Sequence, residues 1–327
     1  MGSRFHCLAV TGSFEAGDDP FRSPSFLDWL ESSDWTPWLM PADLPRLGVG
    51  VSRELLDGGQ TFHWNRVLSD PVERWVGWIS DQAYQLMLDP DGLLLVRALE
   101  AGDATGGENP FTRWVIPDRE FQSEVDCLPW RSDTHLAHCI RALPGLRVLR
   151  QDPATALLAF IISANKQIPQ IKAAHRKLAL RFGESVFPGF NRPPGWDVLS
   201  KLSLEDWKSC GVGYRAPYLM ETAQRVVEDP GLLDRIAVMD YPTARASLME
   251  FPGVGGKVAD CVLLYGCHRM EAFPLDTWIR RVMTDRYALA GWTDSQILHF
   301  ASIHYGEGAG LAQQYLFAWE RRQHRQA

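Results

Sequence analysis

The sequence lacks several features that would assign it quickly to a class. It has 6 cysteines among 327 residues, no Cys-x-x-Cys pair and no cysteine after Cys267, so neither a zinc site nor a redox motif is indicated. It has no apolar run of membrane-spanning length, and the segment after Met1 is not of the signal-peptide type. We therefore expect an intracellular protein with no membrane partner and no cofactor.

An excess of positive charge is also missing, since the formal net charge is −7. This argues mildly against a nucleic-acid partner, although binding depends on local patches more than on the total charge. Basic residues do cluster in three segments: Lys166, Lys172, Arg176, Lys177 and Arg181; Arg280, Arg281 and Arg286; and Arg321, Arg322 and Arg325. For each cluster a solvated helix face and a polyanion-binding patch carry equal weight.

The N-terminal part of the chain predicts a small sheet. Residues 1–45 are rich in Pro, Ser, Asp and Trp and have no clear period, but their aromatic residues should pack in part. From Gly48 onward the pattern reads as β structure, with short apolar runs at 75–79, 84–88 and 93–96. Turn signals at 80–81 and 89–92 separate these runs, and a polar, glycine-rich loop follows at 102–110.

After Pro117 the pattern becomes helical. Asp152 predicts an N-cap with Pro153 in the first turn, and a later helix should stop at Gly183. Further helices are indicated at 218–227, 277–289, 294–305 and 309–324. We predict an α+β fold in which an antiparallel sheet domain at 1–117, with 1–45 as an uncertain lead-in, packs on a mostly helical domain at 118–327.

The most informative stretch lies within this helical part. Pro252-Gly253-Val254-Gly255 predicts a tight turn in which Gly253 and Gly255 adopt positive φ or approach a ligand closely. Lys257 follows in the first turn of the next helix, where exposed N–H groups suit a phosphate and the helix dipole favours the neutral, nucleophilic amine. Pro274-Leu275-Asp276 comes next, with Asp276 as the expected N-cap of another helix.

This constellation resembles the helix-hairpin-helix DNA glycosylase superfamily, with the motif at about 243–266. Within it the chain looks most like the 8-oxoguanine DNA glycosylases of the eukaryotic type. Four segments carry the resemblance: Gly58 to Trp64, Leu149 to Ile168, Gly211 to Ala216, and the hairpin with Lys257 and Asp276. The residues Ala312 to Phe317 also fit. Many superfamily members bind an iron–sulfur cluster through four later cysteines, which this chain does not have.

The resemblance implies roles for individual residues. In this family the damaged base is flipped out of the duplex. The carbonyl of Gly59 would accept a hydrogen bond from N7–H of 8-oxoguanine, which guanine lacks. Cys261 and Phe317 would sandwich the base, although both residue types are more often simply core residues. Gln313 would bind its Watson–Crick edge.

The same resemblance assigns the DNA-binding residues. Asn165 would fill the space left by the flipped base, and Tyr214 would wedge beside the orphan cytosine, with Arg215 as a further contact to it. The hairpin glycines Gly253 and Gly255 would grip the DNA backbone. Relatives also hold a monovalent cation through hairpin carbonyls, here those of Met249, Phe251 and Val254, and we expect no other metal.

The sequence departs from the family at several positions. Lys166 and Gln167 replace asparagines of the animal members, Gln170 replaces an arginine that reads the cytosine, and Trp278 replaces a histidine near the phosphate. Selection for cytosine opposite the lesion should therefore be looser.

The expected activity is that of a monomeric, bifunctional glycosylase and lyase on double-stranded DNA carrying 8-oxoguanine, as in base excision repair. Lys257 would attack C1′ and form a Schiff base, Asp276 would stabilise the developing charge, and the expelled base would assist β-elimination. Two alternatives stay open: a glycosylase for another damaged purine, and a non-catalytic helix-hairpin-helix DNA-binding protein.

Overall fold

The computed structural model describes residues 20–38, 47–67, 72–88, 94–99 and 110–326. The expected turn at 89–92 and the loop at 102–110, apart from Pro110, lie outside these residues, as do parts of the lead-in. The predicted α+β fold class is confirmed, because a small antiparallel sheet precedes a long series of helices. Within the described ranges, no helix combines the length and apolar character needed to cross a bilayer.

The main sheet is a four-stranded antiparallel meander in the order β1-β2-β3-β4. Its strands, followed by those of a separate two-stranded hairpin, are β1 Trp64–Val67, β2 Glu73–Ile79, β3 Gln82–Leu88 and β4 Leu94–Ala98, then β5 Ser185–Phe187 and β6 Phe190–Asn191. Ser80, with φ of 53°, makes the tight turn between β2 and β3, as the sequence predicted.

The helices occupy most of the remaining chain. They are α1 Pro24–Leu30, α2 Val49–Asp57, α3 Pro110–Val115, α4 Asp118–Asp126, α5 Thr134–Ala142, α6 Pro153–Ser163, α7 Ile168–Phe182, α8 Trp196–Leu199, α9 Leu204–Ser209, α10 Ala216–Glu228, α11 Leu232–Val238, α12 Tyr241–Met249, α13 Gly256–Gly266, α14 Thr277–Arg286, α15 Asp294–His304 and α16 Ala309–Gln326. The Asp152 cap is confirmed, since its carboxylate accepts a hydrogen bond from Thr155 N at 2.9 Å.

Three local predictions differ from the structure. The segment from Gly48 begins with helix α2 instead of β structure, because Val51 and Leu55 lie one turn apart and are both buried. Neither β1 nor the β5–β6 hairpin was predicted, since each is short. The lead-in holds helix α1, whose N-cap Ser23 accepts a hydrogen bond from Phe26 N at 3.2 Å.

One apolar core runs from the sheet into the helices. Trp64, Trp75 and Leu86 contribute from the sheet, and α13 packs along α6 behind them. A smaller cluster, which includes Phe26 and Phe190, covers the other face of the sheet, so part of the lead-in does pack. The core is continuous across residue 117, and the division at that point stays a prediction.

Candidate active site

The turn between α12 and α13 places its two glycines in different conformations. Gly253 has φ of +76°, and a Cβ there would lie 2.4 Å from Cδ2 of Tyr218, so both the backbone and its neighbour require glycine. Gly255 is the N-cap of α13 with φ of −93°, and a Cβ there would meet no atom within 4 Å. The expected positive φ is therefore wrong for Gly255, which leaves an open approach to the start of α13.

Two chemically complementary groups lie at the starts of α13 and α14. Lys257 is in the first turn of α13, half-buried, with Nζ 5.6 Å from the centre of the Phe160 ring. Asp276 caps α14, and its Oδ1 accepts a hydrogen bond from Ile279 N at 2.8 Å, as predicted. Burial raises the pKa of the Asp276 carboxyl, while the Ile279 hydrogen bond and the nearby Lys257 charge oppose that rise. A carboxyl and an amine therefore share one site.

Cys261 lies one turn after Lys257 on α13 and is only 3% exposed. Burial raises the pKa of its thiol to about 11, although the neighbouring Lys257 charge lowers it. The thiol is therefore protonated near neutral pH and presents an apolar, polarizable surface, which is the kind of surface that can lie against a planar base.

Gln313 connects α16 to the loop that carries Asp276. Its Nε2 donates a hydrogen bond to the carbonyl of Pro274 at 3.2 Å. Its Oε1 is buried and has no hydrogen-bond partner among the described residues. Since buried polar atoms normally find partners, this acceptor is available to a donor that the described residues do not supply.

The loop after α2 is held by Gln60. The Gln60 side chain donates to the carbonyl of Arg147 at 2.9 Å and accepts from Leu149 N at 2.9 Å. The backbone carbonyl of Gln60 accepts from the Gln151 side chain at 2.6 Å. Gly59 beside it has φ of +102°, and a Cβ there would lie 3.0 Å from Cδ1 of Ile168. The loop is thus rigid, and glycine is required at Gly59.

Asn165 and Tyr214 lie together on the surface. Asn165 Nδ2 donates to the Tyr214 hydroxyl at 3.1 Å, Asn165 has φ of 53°, and Tyr214 is 58% exposed. Arg215 is 4% exposed and donates a hydrogen bond to the carbonyl of Val212 at 3.1 Å. Its guanidinium lies 4.3 Å from the centre of the Tyr214 ring. In this structure Arg215 supports Tyr214 from below.

At least one residue in each of the three basic clusters is paired with a carboxylate. Lys172 pairs with Asp57, Arg281 pairs with Asp285, and Arg321 is buried against Glu54. At these three positions the ion pairs favour a structural role over a polyanion-binding patch.

Sequence reasoning missed two supporting residues of this site. Gln60 was quoted only as part of a motif, yet it fixes the Gly59 loop through three hydrogen bonds. Phe160 was treated as core, yet its ring also faces Lys257. No local pattern predicts the three hydrogen bonds of Gln60, because two of its partners lie 87 and 89 residues further along the chain. No local pattern points to Phe160.

The contacts described above bring some of the predicted site residues together and leave others apart. Lys257, Cys261 and Asp276 interact electrostatically, and Gln313 reaches the same loop. Gly59 lies beside Ile168, and Phe317 lies on α16, the helix that also carries Gln313. Asn165 and Tyr214 form a separate exposed pair.

The N-terminal part of the chain matches the family model described as the 8-oxoguanine DNA glycosylase N-terminal domain, over residues 51–157. This range includes most of α2, the sheet and the loop held by Gln60, and it ends before Lys257.

Full-length comparisons extend the similarity to the helical part. The chain is 36% identical over 230 residues to a probable N-glycosylase/DNA lyase of Methanothermobacter thermautotrophicus, covering 63% of this chain and 73% of that protein. It is 35% identical over 205 residues to the Arabidopsis thaliana N-glycosylase/DNA lyase OGG1, covering 58% and 56%. The structure of Clostridium acetobutylicum 8-oxoguanine glycosylase/lyase with double-stranded DNA containing cytosine opposite 8-oxoG matches with a TM-score of 0.75 at 26% identity, over 89% of this chain and 99% of that chain.

Proposed function

Because this chain belongs to the 8-oxoguanine DNA glycosylase family, we propose that it excises 8-oxoguanine from double-stranded DNA and then cleaves the strand as a lyase. The observation that carries this proposal is the placement of Lys257 and Asp276 at the starts of two successive helices, within electrostatic reach of each other. A nucleophilic amine beside a half-buried carboxylate suits covalent catalysis at a sugar carbon.

The chemistry follows from these two groups. The neutral amine of Lys257 forms a bond to C1′ as the bond from C1′ to the base breaks, and the base leaves with that electron pair and takes up a proton. The Asp276 carboxylate stabilises the positive charge that develops on the sugar. The bond from C1′ to the ring oxygen then breaks, the ring oxygen takes up a proton, and C1′ forms a Schiff base with the lysine nitrogen. This Schiff base acidifies C2′, so loss of a proton there expels the 3′ phosphate by β-elimination. The departing base assists this proton transfer.

Recognition of the lesion uses the pocket walls. The Gly59 carbonyl accepts the N7–H that distinguishes 8-oxoguanine from guanine, and with guanine that carbonyl is left facing a lone pair. Cys261 and Phe317 lie on the two faces of the base. The unpaired Oε1 of Gln313 accepts from the Watson–Crick edge, which supplies N–H donors.

The exposed Asn165 and Tyr214 pair occupies the gap in the duplex. Asn165 fills the space vacated by the base, and Tyr214, supported by Arg215, inserts beside the orphan cytosine. Gln170 makes a capping bond, in which its Oε1 accepts from Gln167 N at 3.1 Å, so it does not extend toward an opposite base. We infer that cytosine is preferred opposite the lesion, but less strictly than an arginine at that position would impose.

The hairpin anchors the flanking DNA backbone. Its open side at Gly255 admits a phosphate to the start of α13. The carbonyls of Met249, Phe251 and Val254 could hold a monovalent cation in this turn, although the Phe251 carbonyl already accepts a hydrogen bond from Val254 N at 3.1 Å. A genomic DNA substrate would be met in the nucleus of a eukaryote or in the cytoplasm and nucleoid of a bacterium, and we infer that the protein acts there as a monomer. It would consist of an antiparallel sheet domain at 1–117 and a helical glycosylase domain at 118–327.

Borohydride trapping tests the covalent step. Wild type should form a stable adduct with a duplex containing 8-oxoguanine, because borohydride reduces the Schiff base, and Lys257→Gln should form none. An adduct in Lys257→Gln, or none in wild type under conditions of strand cleavage, contradicts the nucleophile assignment.

A panel of damaged purines separates the two remaining functions. Preferential excision of an alkylated purine would favour the alternative substrate class, whose members share the helical fold. Tight DNA binding without excision of any lesion would favour a non-catalytic binding protein.

A further inference from the structure

A buried ion pair joins helix α2 to helix α16, the two helices next to the Gly59 loop and Phe317. Arg321 on α16 contacts Glu54 on α2, and the two residues are 6% and 5% exposed. Glu54 lies on the helix that leads directly into the Gly58 and Gly59 loop. Arg321 lies one helical turn after Phe317, so the pair connects the elements that carry two pocket walls.

The guanidinium of Arg321 also contacts the aromatic wall itself. Its Cζ lies 5.5 Å from the centre of the Phe317 ring. Among the described residues, Nε and Nη1 of Arg321 are buried without hydrogen-bond partners. The Arg321 guanidinium therefore contacts both Glu54 and Phe317, and two of its nitrogen atoms donate no hydrogen bond to the described residues.

Such an arrangement is a poor way to gain stability. Burying two charges costs desolvation free energy, and a well-packed apolar pair of similar volume is often as stable or more stable. The pair does restrict geometry. A planar guanidinium that contacts a carboxylate and an aromatic ring limits how those two groups can be placed relative to each other. An apolar contact has no comparable directionality.

We propose that Glu54 and Arg321 are positioning residues that fix Phe317 relative to the Gly59 loop, and so set the geometry in which the flipped base is held. The inference rests on the proposed function, since it concerns the pocket for 8-oxoguanine. A base held between Phe317 and Cys261 must also present N7–H to the Gly59 carbonyl. An error of about 1 Å in such placement can cost on the order of 100-fold in rate.

The test compares base excision with strand cleavage at a preformed abasic site, where no base needs to be held. Arg321→Met leaves Glu54 buried without its partner and could unfold the chain, so the informative variant is Glu54→Leu combined with Arg321→Leu. This double variant should fold with a melting temperature close to wild type. Its single-turnover excision of 8-oxoguanine should fall by about ten-fold or more, while lyase activity on abasic DNA and affinity for that DNA stay within about two-fold.

The control removes a different ion pair, the exposed one between Asp229 and Arg235, through Asp229→Asn with Arg235→Gln. This control should keep both activities at the wild-type level. A folded Glu54→Leu, Arg321→Leu variant with wild-type excision would overturn the positioning role, as would an equal loss of excision and lyase activity. If wild type excises no 8-oxoguanine yet cleaves abasic DNA, the proposed substrate is wrong, and the failure belongs to that proposal.

Discussion

The hairpin region and the Gly59 loop contribute to the site in opposite ways. The hairpin, Lys257 and Asp276 lie close together in sequence, and each is positioned by its own helix terminus. The Gly59 loop is positioned by Gln60, whose partners Arg147 and Leu149 are far along the chain, and Phe317 comes from the last helix. Reactive groups are thus arranged by local structure, and the recognition surface is assembled by tertiary contacts.

This comparison predicts that the two regions fail differently when altered. Loss of Lys257 or Asp276 from the local region should impair chemistry on every substrate. Damage to the assembled region should spare chemistry on an abasic site and impair only the choice and holding of the base.

The largest effect is expected from Asp276→Asn. Loss of the carboxylate should lower base excision by about 100-fold or more, while DNA affinity is preserved and asparagine still caps α14. The melting temperature should hold or rise near neutral pH, because burial raises the pKa of Asp276 and the ionised form is disfavoured in the folded state. Excision kinetics and thermal melting measure the two effects, and unchanged excision would remove Asp276 from the chemistry.

The same residue predicts a pH dependence. In the proposed mechanism excision needs the Asp276 carboxylate, so the wild-type rate should fall as pH falls through the Asp276 pKa. Since burial raises that pKa, the fall should begin at a higher pH than for an ordinary aspartate. Single-turnover rates across the acidic range test this, with Asp276→Asn as the control that lacks this dependence. A wild-type profile that stays flat down to the usual aspartate range would contradict it.

Gly59→Ala should give the next largest effect. A Cβ at φ of +102° and 3.0 Å from Ile168 forces the loop to shift, at a cost of about 1–3 kcal/mol in unfolding free energy. Excision of 8-oxoguanine should drop by about ten-fold or more because the carbonyl moves, whereas lyase activity on abasic DNA should persist. Equal loss of both activities would show that the two regions are not separable.

The two hairpin glycines should give the smallest and most contrasting effects. Gly253→Ala should destabilise the fold by about 1–3 kcal/mol, because its φ is +76° and Tyr218 lies in the way. Gly255→Ala should change the unfolding free energy by less than about 1 kcal/mol, yet weaken DNA binding a few-fold by adding a methyl group on the open side. Denaturant unfolding and DNA titrations distinguish the two, and similar destabilisation by both would contradict the assignment.

The local region was largely predictable from sequence. The Asp152 and Asp276 caps and the helix that carries Lys257 follow from side-chain types at fixed offsets. The conformation of Gly255 could not be predicted in this way, because glycine serves equally well as an N-cap and as a residue with positive φ.

The assembled region was less predictable. The sequence predicts β structure where helix α2 forms, because this short segment combines β-branched and glycine residues. The burial of Arg321 and Arg215 could not be read from sequence either. An arginine in a basic run looks the same whether it faces DNA or an acidic partner on a distant helix.

The thiol of Cys261 has a chemical consequence beyond packing. With its pKa raised to about 11, almost none of it is thiolate at neutral pH, and thiolate is the form that peroxides attack. Peroxides should therefore react only slowly with the Cys261 thiol. The fold thus makes this thiol a slow target for peroxides at the place that we propose holds the oxidised base.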